Sequence, residues 1–427
     1  MLRRQSFLVC GLATFVFVVS DGAVAQQSED ETGFDFNSRV RTRYASRQDF
    51  DFDSGDQTYF LTQIRLGLSY KTENSRFFTE LQDARIFGES RSEPPPIDDS
   101  AVPSIVADQL DIHQAYYEHD FGSVTLRAGR QKFDLGDRRL FGSAEWINTA
   151  RVHDGVHLTL GDPSTRQIEL FATKLVAVDP DEFNDQSTVG NRFFDSDFHG
   201  AFVADKTFDI GQLEYWYFYR RNADFRDKTN TVGLRLVREL GGLELDVQGS
   251  YQFGEFDGLD HSASMFRAGI SGDFDVGSWS AAYIFGSGDG DANDGDHGTF
   301  DNLYPRNHIY YGFMDLFSLK NLHNLELVYA RPIADRASLY LGWQNFWLDK
   351  ASSDAWYSAG QGRVRKAQTN VDSYVGSEID VAVTIPLIPG QLALLTGYSH
   401  FFGGQYLSDT GPDRDAKFFY LQLTWTP

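Results

Sequence analysis

Apolar and polar residues alternate one by one along much of this chain. The segments 63–70, 243–253 and 375–385 each place apolar residues at every second position, with polar or charged residues between them. Successive side chains of a β-strand point to opposite faces, so this period predicts strands with one apolar and one polar face. A soluble antiparallel sandwich gives the same alternation, because one face of each sheet meets water. The pattern alone therefore leaves two architectures open.

The connections between the predicted strands favour one of them. The alternation predicts 18 strands, near residues 34–44, 58–70, 76–87, 109–118, 124–133, 152–160, 166–176, 199–205, 212–220, 230–238, 243–253, 263–272, 278–286, 321–330, 337–348, 371–385, 391–402 and 417–426. Short connections such as 71–75 and 386–390 alternate with mostly long ones, such as 134–151 and 287–320. Short turns at one end and long loops at the other are typical of a transmembrane antiparallel β-barrel, with periplasmic turns and extracellular loops. The even count predicts that both termini are periplasmic.

The amino terminus predicts export from the cytoplasm. Arg3 and Arg4 precede an apolar run over 7–19, and Ala23-Val24-Ala25 follows as a small-residue cleavage site. The run is too short to span a bilayer and is typical of a secretory signal peptide. We therefore expect a signal peptide over 1–25, a single barrel domain over 26–427, and localisation in a Gram-negative outer membrane after cleavage.

Composition excludes further classes of protein and partner. Mean hydropathy is −0.38, which is too polar for a bundle of membrane helices, while aromatic residues make up 15% of the chain, as barrels with aromatic girdles require. The formal net charge of −23 disfavours nucleic acid as a partner. Cys10 is the single cysteine and lies in the predicted signal peptide, so the mature chain is expected to have no disulfide.

Against this acidic background, arginines gather at positions that face the predicted lumen. Alternation points Arg39, Arg41, Arg43, Arg65 and Arg127 inward, whereas Arg130 has the opposite parity. The connection 134–151 is long enough to fold inward. Permanently charged guanidinium groups bind carboxylates and lower the barrier for anions in a water-filled pore. The candidate residues of the pore path are Arg39, Arg41, Arg43, Arg65, Arg127, Arg130, Arg138, Arg139 and Arg151. The alternative is that lumen acids pair with these arginines and only brace the barrel.

The segment 129–155 carries a spaced motif. It holds Gly129-Arg130-Gln131, Gly136, Arg139-Leu140, Gly142, Trp146, Asn148, Arg151 and Asp154-Gly155. This order resembles the alginate export family of outer-membrane β-barrels. Further blocks at 298–315, 345–361, 375–385 and 397–407 are similar to the same family.

The resemblance implies an 18-stranded barrel that passes an anionic uronic-acid polymer through an arginine-lined constriction. Arg130, Arg139 and Arg151 match motif arginines, although a motif arginine can equally brace a loop. The expected partners are outer-membrane lipid, anionic polysaccharide and candidate periplasmic export components. The alternative function is a general or small-solute porin of the same barrel type, and a non-transporting adhesion barrel is a third hypothesis.

The sequence gives little support for catalysis or for metal binding. No GxSxG, HExxH or P-loop motif occurs, so we expect no enzyme and no cofactor. Asp289, Asp291 and Asn293 have the spacing of the first EF-hand ligands, but Asp294 stands where glycine is needed and Phe300 where glutamate is needed. We therefore interpret this run as a solvated loop and expect no metal.

Overall fold

The wall of the molecule is a single closed sheet. The structure, a computed structural model, describes residues 32–88, 107–178, 183–185, 196–222, 226–334 and 336–427, and the predicted signal peptide lies outside them. Within these residues, eighteen strands that form the wall are named β1 to β18 in chain order. Their bounds are β1 Gly33–Gln48, β2 Gln57–Lys71, β3 Ser75–Phe87, β4 Asp108–Asp120, β5 Val124–Gln131, β6 His153–Asp162, β7 Arg166–Leu175, β8 Ser196–Asp205, β9 Gln212–Asn222, β10 Asp227–Leu240, β11 Leu243–Phe256, β12 Leu259–Phe274, β13 Gly277–Gly286, β14 Leu322–Pro332, β15 Ser338–Trp347, β16 Tyr374–Ile388, β17 Leu392–Gly403 and β18 Ala416–Trp425.

The first and last strands close the barrel. β1 pairs antiparallel with β2 and also with β18, where Val40 lies opposite Trp425 and Gln48 opposite Lys417. Closure leaves no sheet edge exposed, as a membrane-spanning sheet requires. The prediction of an 18-stranded antiparallel barrel is confirmed, and the predicted strand bounds differ from the observed ones by a few residues.

The two ends of the barrel differ in the length of their connections. At the end that holds both termini, neighbouring strands are joined by two to six residues, as at 241–242 and 206–211. The other end carries the long loops, together with two short connections at 223–226 and 257–258. By the rule for outer-membrane barrels, the short-turn end is periplasmic and the long-loop end extracellular.

The outer face of the wall is apolar. On β2, Phe60, Ile64 and Leu66 are exposed on the outside, while Leu61 and Arg65 between them are buried on the inside. β18 shows the same period, and its residues Phe419, Leu421, Leu423 and Trp425 all lie outside. A band of exposed apolar and aromatic side chains suits contact with lipid. None of the described helices has the length and apolar character needed to cross a membrane.

The core of the molecule lies inside the barrel, where three long loops fold inward. We name them the inner loop (132–152), the second loop (287–321) and the third loop (348–373). Phe141 of the inner loop forms a parallel bridge with Tyr304 of the second loop, and the Trp356 side chain of the third loop donates to the Leu316 carbonyl oxygen at 2.9 Å. The three loops therefore support one another as well as the wall.

Aromatic side chains fill the space between the loops and the strands. Phe141 packs edge-on against Phe198 of β8 with ring centroids 4.8 Å apart, and Phe317 stacks on Phe346 of β15 at 3.8 Å. All four rings are at most 1% exposed. Burying large aromatic surfaces is strongly favourable, so this packing fixes the loops in the lumen.

Candidate functional site: the inner loop and the arginines that hold it

The centre of the candidate site is the carboxylate of Glu145 on the inner loop. Arg65 of β2 donates to both of its oxygens, at 2.9 and 3.1 Å, and Arg39 of β1 lies 3.3 Å away. Lys132, just after β5, contacts the same carboxylate at 2.9 Å. Two cations from the wall and one from the start of the inner loop therefore converge on one loop carboxylate inside the barrel.

The surrounding charges keep Glu145 ionised. Burial alone would raise the pKa of this carboxyl, but Arg65, Lys132 and Arg39 together hold it well below its usual range. Only 8% of the Glu145 side chain is exposed, so water screens these contacts weakly. The orientation of the Arg65 guanidinium is fixed by a further hydrogen bond, because its Nε donates to the Gln82 side chain at 2.8 Å. The cluster is thus a preformed carboxylate-binding site with an excess of positive charge.

A second pair of arginines holds the backbone of the inner loop. Arg41 donates to the carbonyl oxygens of Glu145 and Ile147 at 2.6 and 3.1 Å. Arg43 donates to the carbonyl oxygen of Trp146 at 3.0 Å and lies 3.4 Å above the Trp146 ring. Both arginines are almost completely buried. The period-2 prediction that Arg39, Arg41, Arg43 and Arg65 point inward therefore agrees with their positions, and all four contact the inner loop.

The arginines within the inner loop connect it to the second loop. Arg139 donates to the Tyr311 hydroxyl at 2.9 Å and lies 3.7 Å from the centre of the Tyr310 ring. Arg151 donates to the carbonyl oxygens of Gly142 and Pro305 at 3.0 and 2.9 Å.

Burial affects these two loop arginines differently. It lowers the pKa of Arg151 to about 10, whereas the pKa of Arg139 is raised because Tyr311 and Asp137 outweigh its burial. Arg138 is half-buried at a backbone φ of 65°, and its carbonyl oxygen accepts the Arg306 amide at 3.0 Å.

The last two predicted arginines have other surroundings. Arg127 pairs with Glu118 of β4 at 2.5 Å, and 32% of its side chain is exposed. Arg130 is the second-last residue of β5, where it pairs with Asp154 of β6 at 2.8 Å and donates to the carbonyl oxygen of Ile112 at 3.0 Å. These partners differ from those of the Glu145 cluster, so the structure divides the nine predicted arginines into separate groups.

With this geometry described, comparison with known proteins assigns the family. A family model for alginate export matches residues 33–420, nearly the whole chain. This chain belongs to the alginate export family.

Solved structures agree on the fold. The *Pseudomonas aeruginosa* outer membrane protein opdK is 9% identical with a TM-score of 0.63, over 93% of this chain and 100% of that one. *Acinetobacter baumannii* OccAB4 is 11% identical with a TM-score of 0.62, over 93% and 98%. *P. aeruginosa* OccD3 (OpdP) is also 11% identical, with a TM-score of 0.60 over 92% and 91%. No curated protein matches the sequence.

Membership of the alginate export family and the porin-like barrel together identify an outer-membrane channel. The family motif maps onto the inner loop and its attachments. Gly129 has a φ of +128°, and a Cβ atom there would lie 2.2 Å from the Ala115 carbonyl oxygen, so this position requires glycine. Two motif residues accept hydrogen bonds from the wall: Asn148 from Arg41, and Trp146 from Arg43. The motif therefore encodes how the loop enters the lumen and stays there.

Some residues of this site were not predicted from the sequence. Glu145, Gln63 and Gln82 contact the cluster or the loop backbone, and the His308 ring of the second loop stacks on Trp146 at 3.7 Å. One sequence signal for Glu145 was present: it is the only acidic residue between Asp137 and Asp154 and precedes the motif tryptophan. Asp246 of β11 pairs with Arg235 and Arg267, two cations outside the predicted set.

Proposed function

We propose that this channel passes an anionic polysaccharide or oligosaccharide, an alginate-like uronate polymer, across the outer membrane along an arginine-lined path. The observation that carries the proposal is the carboxylate of Glu145 held by Arg39, Arg65 and Lys132. This cluster has the chemistry that a uronate needs, because each uronate residue also presents one carboxylate. Guanidinium forks bind such groups with directional, charge-assisted hydrogen bonds.

Glu145 gives this path a means of opening. A substrate carboxylate that enters the cluster replaces one carboxylate by another, so the cations remain paired throughout the exchange. Leaving a buried cation unpaired would cost several kcal/mol, and the exchange avoids that cost. The inner loop is then released at its charged contact, while Arg41 and Arg43 still hold its backbone. The polymer would advance from one cation cluster to the next without any covalent step.

The remaining predicted arginines supply three further kinds of contact along the proposed path. The Arg127 side chain is 32% exposed, and we assign it as the first lumen-facing cation on the periplasmic side. Arg138, Arg139 and Arg151 anchor the inner loop to the second loop and set the width that the loops leave open. Arg130 lies at the extracellular end of β5, where it would meet the substrate as it leaves. Outer-membrane lipid surrounds the wall, and periplasmic export components are candidate partners at the short-turn end.

Single-channel recording of the full chain in planar bilayers tests the proposal. We expect anion selectivity and reversible block by uronate oligomers, but no block by neutral oligosaccharides of the same length. Arg65→Gln should weaken the block, because it removes the cation that contacts both oxygens of the carboxylate. Arg166→Gln is a matched control, because this arginine pairs with Asp205 at the short-turn end. Cation selectivity without block by any uronate would reject the proposal.

The alternative is a porin for small carboxylates. One observation favours it: the crystal structure of P. aeruginosa OpdK with vanillate shares the fold, with a TM-score of 0.60. Vanillate has a single carboxylate, which the Glu145 cluster would also accommodate. Liposome-swelling rates separate the two functions. A small-solute porin admits monomeric uronates and excludes oligomers, whereas a polymer channel binds the oligomers more tightly as their length increases.

A further inference from the structure

Three carboxylates meet at the extracellular end of β4, away from the Glu145 cluster. Asp108 and Asp111 belong to β4, and Asp185 belongs to the connection between β7 and β8. Each presents an oxygen atom, and these atoms all lie within 4.8 Å of one another. All three residues are at most 4% exposed. Like charges at this distance in a buried setting repel strongly, and either a bound proton or a compensating cation relieves the repulsion.

The nearby cation compensates only part of this charge. Arg130 lies 3.9 Å from Asp111 but is bound more closely to Asp154, at 2.8 Å. Arg130 also donates to the Asp185 backbone carbonyl. One guanidinium group is thus shared among two carboxylates and two carbonyl oxygens. Neutralising three carboxylates requires more positive charge than this contact provides.

An unsatisfied oxygen atom and a cavity point independently to a ligand. The Oδ1 atom of Asp108 is buried and has no hydrogen-bond partner among the described residues. Asp108 lines a cavity of about 20 Å³ together with Asp111, Asp185, Gln82 and Thr149. A space of roughly 10–15 Å³ is enough for one water molecule, so this cavity has room for a single bare cation. Buried carboxylate oxygens almost always have a partner, and a cation here would supply it.

The donor set selects the kind of cation. Oxygen ligands from carboxylates, amides and carbonyl groups suit hard divalent cations, whereas thiolates and imidazoles suit softer metals. His113 lines the same cavity but does not belong to the group of converging atoms. Ca²⁺ tolerates irregular geometry and several protein carboxylates, while Mg²⁺ demands near-octahedral geometry and keeps more water. The three converging aspartates therefore fit Ca²⁺ better than Mg²⁺.

We propose that Asp108, Asp111 and Asp185 bind one Ca²⁺ ion that fastens the β7–β8 connection to the wall at β4. Asp111 already accepts the amides of Asn184 and Asp185 at 2.5 and 3.2 Å, so this connection lies against the site. Because Arg130 contacts both sides of the site, the ion would also fix this motif arginine. The site is buried at the long-loop end of β4 and does not depend on what the channel carries.

Calcium binding to the full chain, refolded and freed of metal with a chelator, tests the inference. We expect one Ca²⁺ per chain by isothermal titration with CaCl₂, and a higher melting temperature when Ca²⁺ is present. Asp108→Asn and Asp185→Asn should each lower the affinity about 10-fold or more, since each removes a charged ligand. Asp291→Asn is the matched control, because this acidic residue lies in the 288–296 loop and its carboxylate accepts the Asn293 amide.

Gel mobility and circular dichroism of the variants give the folded fraction, so each affinity refers to folded barrel. Unchanged affinity in both Asp108→Asn and Asp185→Asn would overturn the inference. A loss of binding confined to Asp291→Asn would overturn it too, because it would place the ion in the 288–296 loop. Mg²⁺ binding as tight as that of Ca²⁺ would reject the assignment to calcium.

Discussion

Two groups of arginines hold the same inner loop in different ways. Arg41 and Arg43 donate to backbone carbonyl oxygens, which every residue type provides. Arg39 and Arg65, with Lys132, bind the side-chain carboxylate of Glu145. The first group depends on where the loop backbone lies, and the second depends on a charge that a soluble anion can replace. Neighbouring arginines on β1 therefore have distinct roles, although their parity and residue type are the same.

This difference distinguishes the contacts that attach the inner loop from the contact that a substrate carboxylate would exchange. Under the proposed function, a uronate carboxylate would compete poorly for Arg41, because Arg41 makes two hydrogen bonds to the loop backbone and is 2% exposed. It would compete directly with Glu145, because the two ligands are chemically alike. We infer that the backbone contacts keep the loop in place while the carboxylate contact responds to substrate. The following changes test that division, from the largest expected effect to the smallest.

The largest effect is expected when a backbone contact is removed. Arg41→Ser deletes charged hydrogen bonds to the carbonyl oxygens of Glu145 and Ile147. Hydrogen bonds to charged groups contribute about 1.5–3 kcal/mol, so amide hydrogen exchange over residues 145–148 should accelerate roughly 30-fold or more. Exchange measured by mass spectrometry on the folded barrel gives this value directly. Glu118→Gln, which removes the partner of Arg127 on the wall, should leave exchange of the loop unchanged.

An unchanged exchange rate in Arg41→Ser would show that the aromatic packing alone holds the loop. Phe141 and Trp146 would then carry the attachment, since both are buried among other rings. The distinction between the two arginine groups would be lost.

The next effect concerns the exchangeable charge. Glu145→Gln removes the internal competitor but leaves the backbone contacts of Arg41 and Arg43 in place. Block of the single-channel current by uronate oligomers should become about 10-fold tighter, because the three cations no longer have a carboxylate of their own. Glu118→Gln again serves as the control, with block expected to remain near the wild-type value. Weaker block in Glu145→Gln would contradict the exchange mechanism.

The arginine contacts also show which features of the site could be predicted from the sequence. Period-2 alternation depends only on neighbouring residues, so it was sufficient to predict the wall and the inward direction of Arg41, Arg43 and Arg65. The inner-loop residues that these three arginines contact lie 80 to 107 positions away along the chain, such as Glu145 for Arg41. No local pattern encodes a contact of that separation. Parity likewise could not decide between a cationic path and loop bracing, because both require the same inward arginines.

The packing of the loops inside the barrel gives the structural reason for the spaced motif residues. The spaced glycines and the tryptophan of 129–155 indicated a family, and their reason became visible only with the loop inside the barrel. Gly312, in the block 298–315 of the second loop, shows the same effect, because at its φ of +84° a Cβ atom would lie 2.4 Å from the Glu378 side chain on the wall. The cluster at Asp185 escaped prediction for a related reason, since it joins β4 to a distant connection.

A smaller effect is expected from acidification. The pKa of Glu145 is lowered in the folded protein, so its contribution to loop attachment is fully present above the usual glutamate pKa of about 4.3 and is lost as pH falls through the lowered value. Loop exchange, corrected for its intrinsic pH dependence, should therefore stay constant from about pH 7 to pH 5 and rise only below about pH 4. Glu145→Gln should lack this rise. A rise already complete at pH 5 would mean that the three cations do not hold the carboxylate as described.

The smallest effect is expected at Arg127. Its side chain is 32% exposed and paired with Glu118, so water and the neighbouring carboxylate already screen its charge. Arg127→Ser should lower the anion-to-cation permeability ratio less than about 2-fold, because partly exposed ion pairs contribute at most about 1 kcal/mol. Arg65→Gln, measured as a reversal potential under the same salt gradient, should lower it more. If Arg127→Ser had the larger effect, selectivity would reside in the accessible part of the lumen, and the Glu145 cluster would serve only to brace the loop.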